Sequence, residues 1–338
     1  MAIKILVDVP VISAALQSLE ATGKFSFDVI DPPEETARPL DAQCIADAEV
    51  LFCTYPPTNF EDMKAVKWVQ ISSAGYTQLF DHNLPARGVR ATNGRGCFDV
   101  PIAEWNVAMM VNLARDMRQL VLNQEVAVWD RSEIFQREIR GMVVGIWGYG
   151  GIGRETARLA QTMGLKIHVF ARNGVGPRGD VYHVPGTSDP EGVLPDRVFT
   201  DGDELEFLSG LDFLVLGLPL TKQTEGLIGE RELRALPDRA YILNPARGPI
   251  IQEQALIKAL SEKWIAGAAL DTHYHYPMPP EHPLWKMPNV IMTPHISGSS
   301  LSPSFLRHLW DIFTANAERY AAGKPLLNEL TPEQLAGS

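Results

Sequence analysis

The stretch MVVGIWGYGGIGRETARLAQTMGLKIHVF, Met142 to Phe170, constrains the fold more than any other part of the chain. An apolar run suited to a buried strand leads into Gly148, Gly150 and Gly153, spaced G-x-G-x-x-G. A helical segment follows, and a second apolar run closes the unit. A lone glycine pattern means little, but in this strand–turn–helix–strand setting it marks a dinucleotide-binding crossover. Gly148 permits the tight turn, Gly150 lets backbone approach a pyrophosphate, and Gly153 lets helix and strand pack closely. The amides near Gly151 and Ile152 then face the phosphates from a helix N-terminus, where the dipole favours anions.

An acid at the end of the second strand usually holds the adenosine ribose 2′-hydroxyl. Here that place falls at about Ala171, and Arg172 follows it. Loss of the carboxylate and gain of a guanidinium favour a 2′-phosphate, so NADP(H) is expected in preference to NAD(H). Arg178 is a candidate helper, and stacking on adenine is the other use for Arg172.

The rest of the chain repeats the same alternation. In the first hundred residues IKILVDV, FDVID, EVLFC and KWVQISS read as strands, with VISAALQSLEA and FEDMKAV as helices between them. Pro101 marks the start of a long helix, followed by a second, less regular one. From Gly141 the runs MVVGIW, KIHVFA, DFLVLGL, AYILN, AGAAL and NVIMTP read as strands. Strand–helix alternation implies parallel sheets covered on both faces, so the expected fold is α/β, with two doubly wound domains. The 338 residues suit two domains. With 30 basic against 41 acidic residues the formal charge is −11, and the basic residues form no cluster. Nucleic acid and anionic membrane surfaces are therefore not expected partners. The N-terminal apolar run is short and carries an acid, unlike a signal or a membrane span. Cys44, Cys53 and Cys97 are too few and too scattered for a disulfide framework or a zinc site, which fits a cytoplasmic protein. One segment breaks the rhythm: Asn173 to Val198 is rich in glycine and proline and has no period. It is expected to border the adenosine site and to close over it.

Three further stretches join the glycine loop: VQISSAGY (Val69–Tyr76), LGLPLTKQTEGLIGERELRALPDRAYILNPARGPIIQEQAL (Leu216–Leu256) and GAALDTHYHYPMPPEHPLWKMPNVIMTPHISG (Gly267–Gly298). Together, over roughly Val66 to Gly298, they resemble the D-isomer-specific 2-hydroxyacid dehydrogenases, the family of phosphoglycerate, glycerate and formate dehydrogenases. The resemblance implies a Rossmann coenzyme domain (102–297), a flavodoxin-like substrate domain (1–101 and 298–338) and a homodimer, with Met117 to Arg140 as a candidate arm. It also implies residue roles. Arg247 would clamp the carboxylate and 2-oxo group of a small carboxylate substrate with a fork of donors that never loses its charge. His295 would exchange a proton with the 2-oxo oxygen. The backbone of Ser73, Ala74, Gly75 and Tyr76 would hold the carboxylate, and Asp271 would lie near the nicotinamide carboxamide. No metal is implied, since the His-x-His pair offers too few ligands.

One position departs from the family pattern. Where the family has a glutamate that raises the pKa of the histidine, counting from Asp271 arrives at Tyr276, with Pro277 next as in the pattern. A neutral phenol can orient an imidazole but cannot stabilise imidazolium as a carboxylate does. Three readings stay open: Tyr276 as a weaker partner with an acid-shifted pH optimum; His273, His275 or Glu281 supplying the second role; or a different reaction on a carboxylate substrate. A nucleotide-binding protein without redox turnover is the competing class.

Overall fold

Short aliphatic and aromatic runs set the architecture, each long enough to cross a sheet once. The structure is a computed structural model, and it describes residues 2–132, 136–179, 181–300 and 302–336. The chain divides into two units: Met1–Phe98 with Asp180–Val184 and Ser300–Ser338, and Asp99–Gly179 with Pro185–Ser299.

In the first unit β1 (Ile3–Asp8), β2 (Phe25–Val29), β3 (Val50–Cys53), β4 (Trp68–Ile71) and β5 (Arg90–Thr92) form a parallel sheet in the order β2-β1-β3-β4-β5. This is the flavodoxin-like winding. Strands β3 and β4 are buried along their whole length; β3 reads as an unbroken apolar run, and β4 as an apolar run interrupted by the buried Gln70. One face packs against the 19-residue helix Pro303–Ala321, which brings the C-terminal segment back to this sheet. There Phe313 stacks on Phe52 at 4.2 Å between ring centroids and on Trp68 at 5.5 Å. At the end of β1 the nearly buried Asp8 is held by Arg38 through two bonds of 2.9 and 3.1 Å.

The second unit holds β6 (Val143–Trp147), β7 (Lys166–Phe170), β8 (Arg197–Phe199), β9 (Phe213–Leu216), β10 (Tyr241–Asn244), β11 (Gly267–Leu270) and β12 (Val290–Met292). Their order is β12-β11-β10-β9-β6-β7-β8, all parallel. Renumbered from β6, this is the Rossmann order 3-2-1-4-5-6 with one strand added. Helices Asp99–Ala114 and Gly151–Thr162 pack together on one face, joined by a buried bond from the Asn106 amide to Thr156 Oγ1 at 3.0 Å. Among the described residues no helix is long and apolar enough to cross a membrane.

Several details differ from the sequence reading. FEDMKAV forms only a short 3-10 turn, Phe60–Asp62. Phe60, Met63 and Val66 are all buried, so a turn reproduces the i, i+3 apolar spacing that suggested a helix. The long helix begins at Asp99, and Pro101 sits within its first turn, where its missing N–H costs nothing. Strands β5 and β8 went unread because each is a three-residue edge strand carrying an arginine. Within the expected coenzyme domain, Asp180–Val184 belongs instead to the first unit. Tyr182 joins that unit's apolar cluster and bonds Asp311 through its hydroxyl at 3.3 Å.

Phe313→Ala should destabilise the first unit by about 3–5 kcal/mol, as expected for a large aromatic lost from a packed core. Urea unfolding followed by tryptophan fluorescence checks this, since Trp68 and Trp310 both flank the cavity that would form.

Candidate active site

Neighbouring parallel strands end together, so loops from β10, β11 and β12 leave the sheet at one carboxyl edge. Each carries a residue singled out in the sequence. Asn244, the last residue of β10, organises the first loop. Its side-chain oxygen accepts the amides of Ala246 (3.1 Å) and Arg247 (3.2 Å), while its Nδ2 donates to the Arg247 carbonyl at 2.9 Å. Arg247 is exposed, and its guanidinium donates to the Ala246 carbonyl at 2.6 Å. Gly248 must be glycine, because a β-carbon there would lie 2.4 Å from the backbone of His273. The Arg247 loop therefore rests directly on the loop from β11.

Asp271 opens the second loop and is fully buried. Its carboxylate accepts the Thr293 hydroxyl at 2.5 Å, the Ile296 amide at 2.9 Å, and the Ser297 amide and hydroxyl at 3.0 and 2.5 Å. These donors flank His295 on both sides. His295 itself has φ +58°, the left-handed region, and as a residue it is exposed. Partial burial first, then the neighbouring Arg247 charge, holds the imidazole below its ordinary pKa; Asp271 opposes this and His273 adds to it.

Tyr276 stands with its ring centroid 5.6 Å from that of His295. Its hydroxyl accepts the His273 amide at 3.1 Å, which leaves the phenolic proton available to donate. No carboxylate among the described residues is hydrogen-bonded to the His295 ring. The other candidates for that role are engaged elsewhere. His273 Nε2 lies 2.8 Å from the Thr293 carbonyl, so it carries the proton there. His275 Nε2 lies 3.9 Å from Glu253, which His282 meets at 2.8 Å. Glu281 is exposed and makes no ion pair among the described residues. No cluster among the described residues is arranged to hold a metal ion.

At the switch point between β6 and β9 lies the glycine loop. Gly148 has φ +103°, and a β-carbon on it would meet the Gly217 carbonyl at 2.7 Å. One on Gly153 would meet the Gly148 carbonyl at 2.5 Å, and one on Gly151 would collide with the Asp99 carboxylate. Gly150, by contrast, faces open space. Closely packed glycines behind and an open one in front make a cradle that fits a pyrophosphate, with Ile152 in the first helical turn, where amides lack intrahelical acceptors. Arg172, just past the end of β7, is exposed, and its Nη1 donates to Gln223 at 3.0 Å.

In the first unit, Ser73–Tyr76 follows β4. The Ser73 hydroxyl donates to the Gly75 carbonyl at 2.7 Å and accepts from Gln78 at 2.8 Å, while Asn93 donates to the Ala74 carbonyl at 2.7 Å. The carbonyls are thus engaged, and the amides of Ala74, Gly75 and Tyr76 donate to no acceptor among the described residues. Sequence reasoning missed Asn244, the engagement of Asp271 with the His295 loop, and a buried group around Arg154. Only the last left a trace: an arginine in the first turn of a helix sits where the dipole disfavours it.

This geometry defines a dinucleotide-binding α/β protein with an arginine and a histidine at the carboxyl edge of its sheet. The model of the D-isomer specific 2-hydroxyacid dehydrogenase NAD binding domain matches residues 107–297, and the chain belongs to that family. It is 34% identical over 266 residues to a glyoxylate reductase of Thermofilum pendens, covering 76% of this chain and 74% of that one. A hydroxypyruvate reductase of Blautia hydrogenotrophica is 28% identical, with 83% and 85% covered. Among solved structures, a D-isomer specific 2-hydroxyacid dehydrogenase family protein of Aeromonas salmonicida superposes with a TM-score of 0.76 at 24% identity, over 98% of this chain and 99% of that one. That likeness establishes the shared fold.

Asp271→Ala would strand two amides and two hydroxyls around His295 and should cost about 3 kcal/mol or more. Denaturant unfolding reads the stability, and amide exchange should quicken at 293–297 well before it does in β11.

Proposed function

We propose that the protein is an NADPH-dependent reductase of small 2-oxo acids, working with Tyr276 where relatives have glutamate. The observation that carries this reading is that Arg247 and His295 share one sheet edge, close enough for the Arg247 charge to act on the imidazole, with no carboxylate among the described residues bonded to the histidine. Arg247 holds the substrate carboxylate and 2-oxo oxygen through its donor fork. The amides of Ala74, Gly75 and Tyr76, which lack acceptors in their own unit, serve the carboxylate in the same way, and Ser73 fixes their loop. When bound, the nicotinamide coenzyme supplies the hydride. His295 gives its proton to the 2-oxo oxygen, and Tyr276 orients the imidazole without charging it. Gly148, Gly150, Gly151, Ile152 and Gly153 hold the pyrophosphate, Arg172 the 2′-phosphate. Asp271 serves the coenzyme end indirectly, since its carboxylate is committed to the His295 loop. Glyoxylate and hydroxypyruvate, the substrates named for relatives, are the first to try.

A cytoplasmic homodimer completes the proposal. The helix Met117–Glu125 buries none of its side chains, and Val126, Val128 and Trp129 beyond it are exposed, Trp129 by 89%. Of the Met117 to Arg140 arm, positions 133–135 lie outside the described residues.

Reduction needs the imidazolium. With the pKa of His295 held down, turnover should be full at acid pH and fall as pH rises through a midpoint below the usual 6.5 or so. Tyr276→Glu should move that midpoint up by about 1–3 pH units. NADPH oxidation with glyoxylate or hydroxypyruvate, followed from acid to neutral pH, tests both. A midpoint unmoved by the glutamate would sink the assigned role of Tyr276, and NADPH binding without turnover on any 2-oxo acid would favour the non-redox alternative. In the same assay Arg172→Ala should raise KM for NADPH about ten- to a hundredfold and leave NADH nearly unchanged.

A further inference from the structure

The aperiodic segment after β7 is built onto the glycine loop by a group of buried polar side chains. Arg154, in the first turn of the helix Gly151–Thr162, is 5% exposed. Its guanidinium donates to three carbonyls on three stretches of chain: Tyr149 in the glycine loop (3.3 Å), Gly176 on the outgoing limb (2.7 Å) and Asp189 on the returning limb. The same guanidinium lies 5.0 Å from the Tyr149 ring centroid. The Tyr149 hydroxyl donates to the Asp189 carboxylate at 2.7 Å, and that carboxylate also accepts the amides of Val193 (3.0 Å) and Leu194 (3.1 Å). Beside this group the fully buried Glu155 accepts the Ser188 amide at 2.5 Å and two bonds from Arg158. The limbs touch: Gly192 has φ +73°, and a β-carbon on it would meet the Gly176 carbonyl at 2.8 Å.

A cation at a helix N-terminus opposes the dipole, and a buried arginine is costly unless its donors and charge are answered. Here the carbonyls answer the donors and Asp189 answers the charge. Burial works against the Asp189 anion, yet Tyr149, the two amides and Arg154 hold its pKa below the ordinary value. Such a carboxylate loses its contribution only as pH falls below about 4, so the group is charged throughout the neutral range. Tyr149 stands between the first two glycines, so whatever fixes Tyr149 fixes the backbone that faces the pyrophosphate.

We propose that Asp189 is a positioning residue for coenzyme binding, acting through Tyr149 and Arg154 to hold the glycine loop in its binding shape before coenzyme arrives. The limbs at Gly176 and at 188–194 are then fixed beside the glycine loop and do not have to close. Preorganisation of this kind raises affinity by removing the ordering cost from the binding step. The inference rests on the reading of the glycine loop as the pyrophosphate site.

The test is direct binding of NADPH and NADH by fluorescence titration, with amide exchange of the coenzyme-free protein. Asp189→Asn should weaken both coenzymes about tenfold, and Tyr149→Phe, which removes one hydroxyl from a well-packed ring, by a smaller factor in the same direction. Exchange at 148–153 should quicken in both variants without coenzyme, and KM for NADPH should rise more than kcat falls. Asp189→Glu should restore part of the affinity. Faster exchange at 188–194 with unchanged affinity in Tyr149→Phe would overturn the proposal, since the group would then hold only the segment. If the unaltered protein bound neither coenzyme, the assignment of the glycine loop itself would fail.

Discussion

Four hydrogens converge on one buried carboxylate, that of Asp271, and the loop that carries His295 is organised around it. Two come from Ser297, one from Thr293 and one from Ile296, so the chain on both sides of His295 is drawn to a single point. A carboxylate this deep survives only because its lone pairs are taken up. The neighbouring loop is fixed by a smaller version of the same device, in which Asn244 accepts the amides of Ala246 and Arg247. Gly248 then lets the two loops lie in contact. Arg247 and His295 themselves are exposed, and these polar anchors fix the loops behind them.

The fold was legible because burial on both faces of a parallel sheet forces unbroken apolar runs, and such runs are easy to see. VVGIW, FLVL and GAAL are examples, each flanked by helical or turn residues. What failed to register was short or irregular. Arg90–Thr92 and Arg197–Phe199 are strands by their pairing, not by their composition. Phe60, Met63 and Val66 carry helical spacing on a segment that is mostly turn.

Candidate site residues could be named from the sequence, but not the wiring between them. The sequence pointed to Arg247, His295 and Tyr276; the structure sets the Tyr276 ring 5.6 Å from that of His295, whose imidazole the Arg247 charge reaches. The sequence did not show that Asp271 serves the histidine loop, because that follows from which loops share a sheet edge. Nor did it connect Asp189 to Tyr149, forty residues away. A glycine- and proline-rich segment has no periodicity to reveal that it is tightly bonded, so its order is visible only in three dimensions.

The left-handed backbone of His295 has a consequence for how such a chain can vary. At φ +58° the side chain must tolerate a conformation that histidine, asparagine and glycine accept more readily than branched residues do. If His295 has the role proposed above, histidine meets two demands here, a chemical one and a conformational one. A descendant that abandoned the proton transfer would therefore drift first toward asparagine or glycine at this position. Valine or isoleucine would instead require the loop to be rebuilt, so the backbone limits which inactive relatives the fold can readily produce.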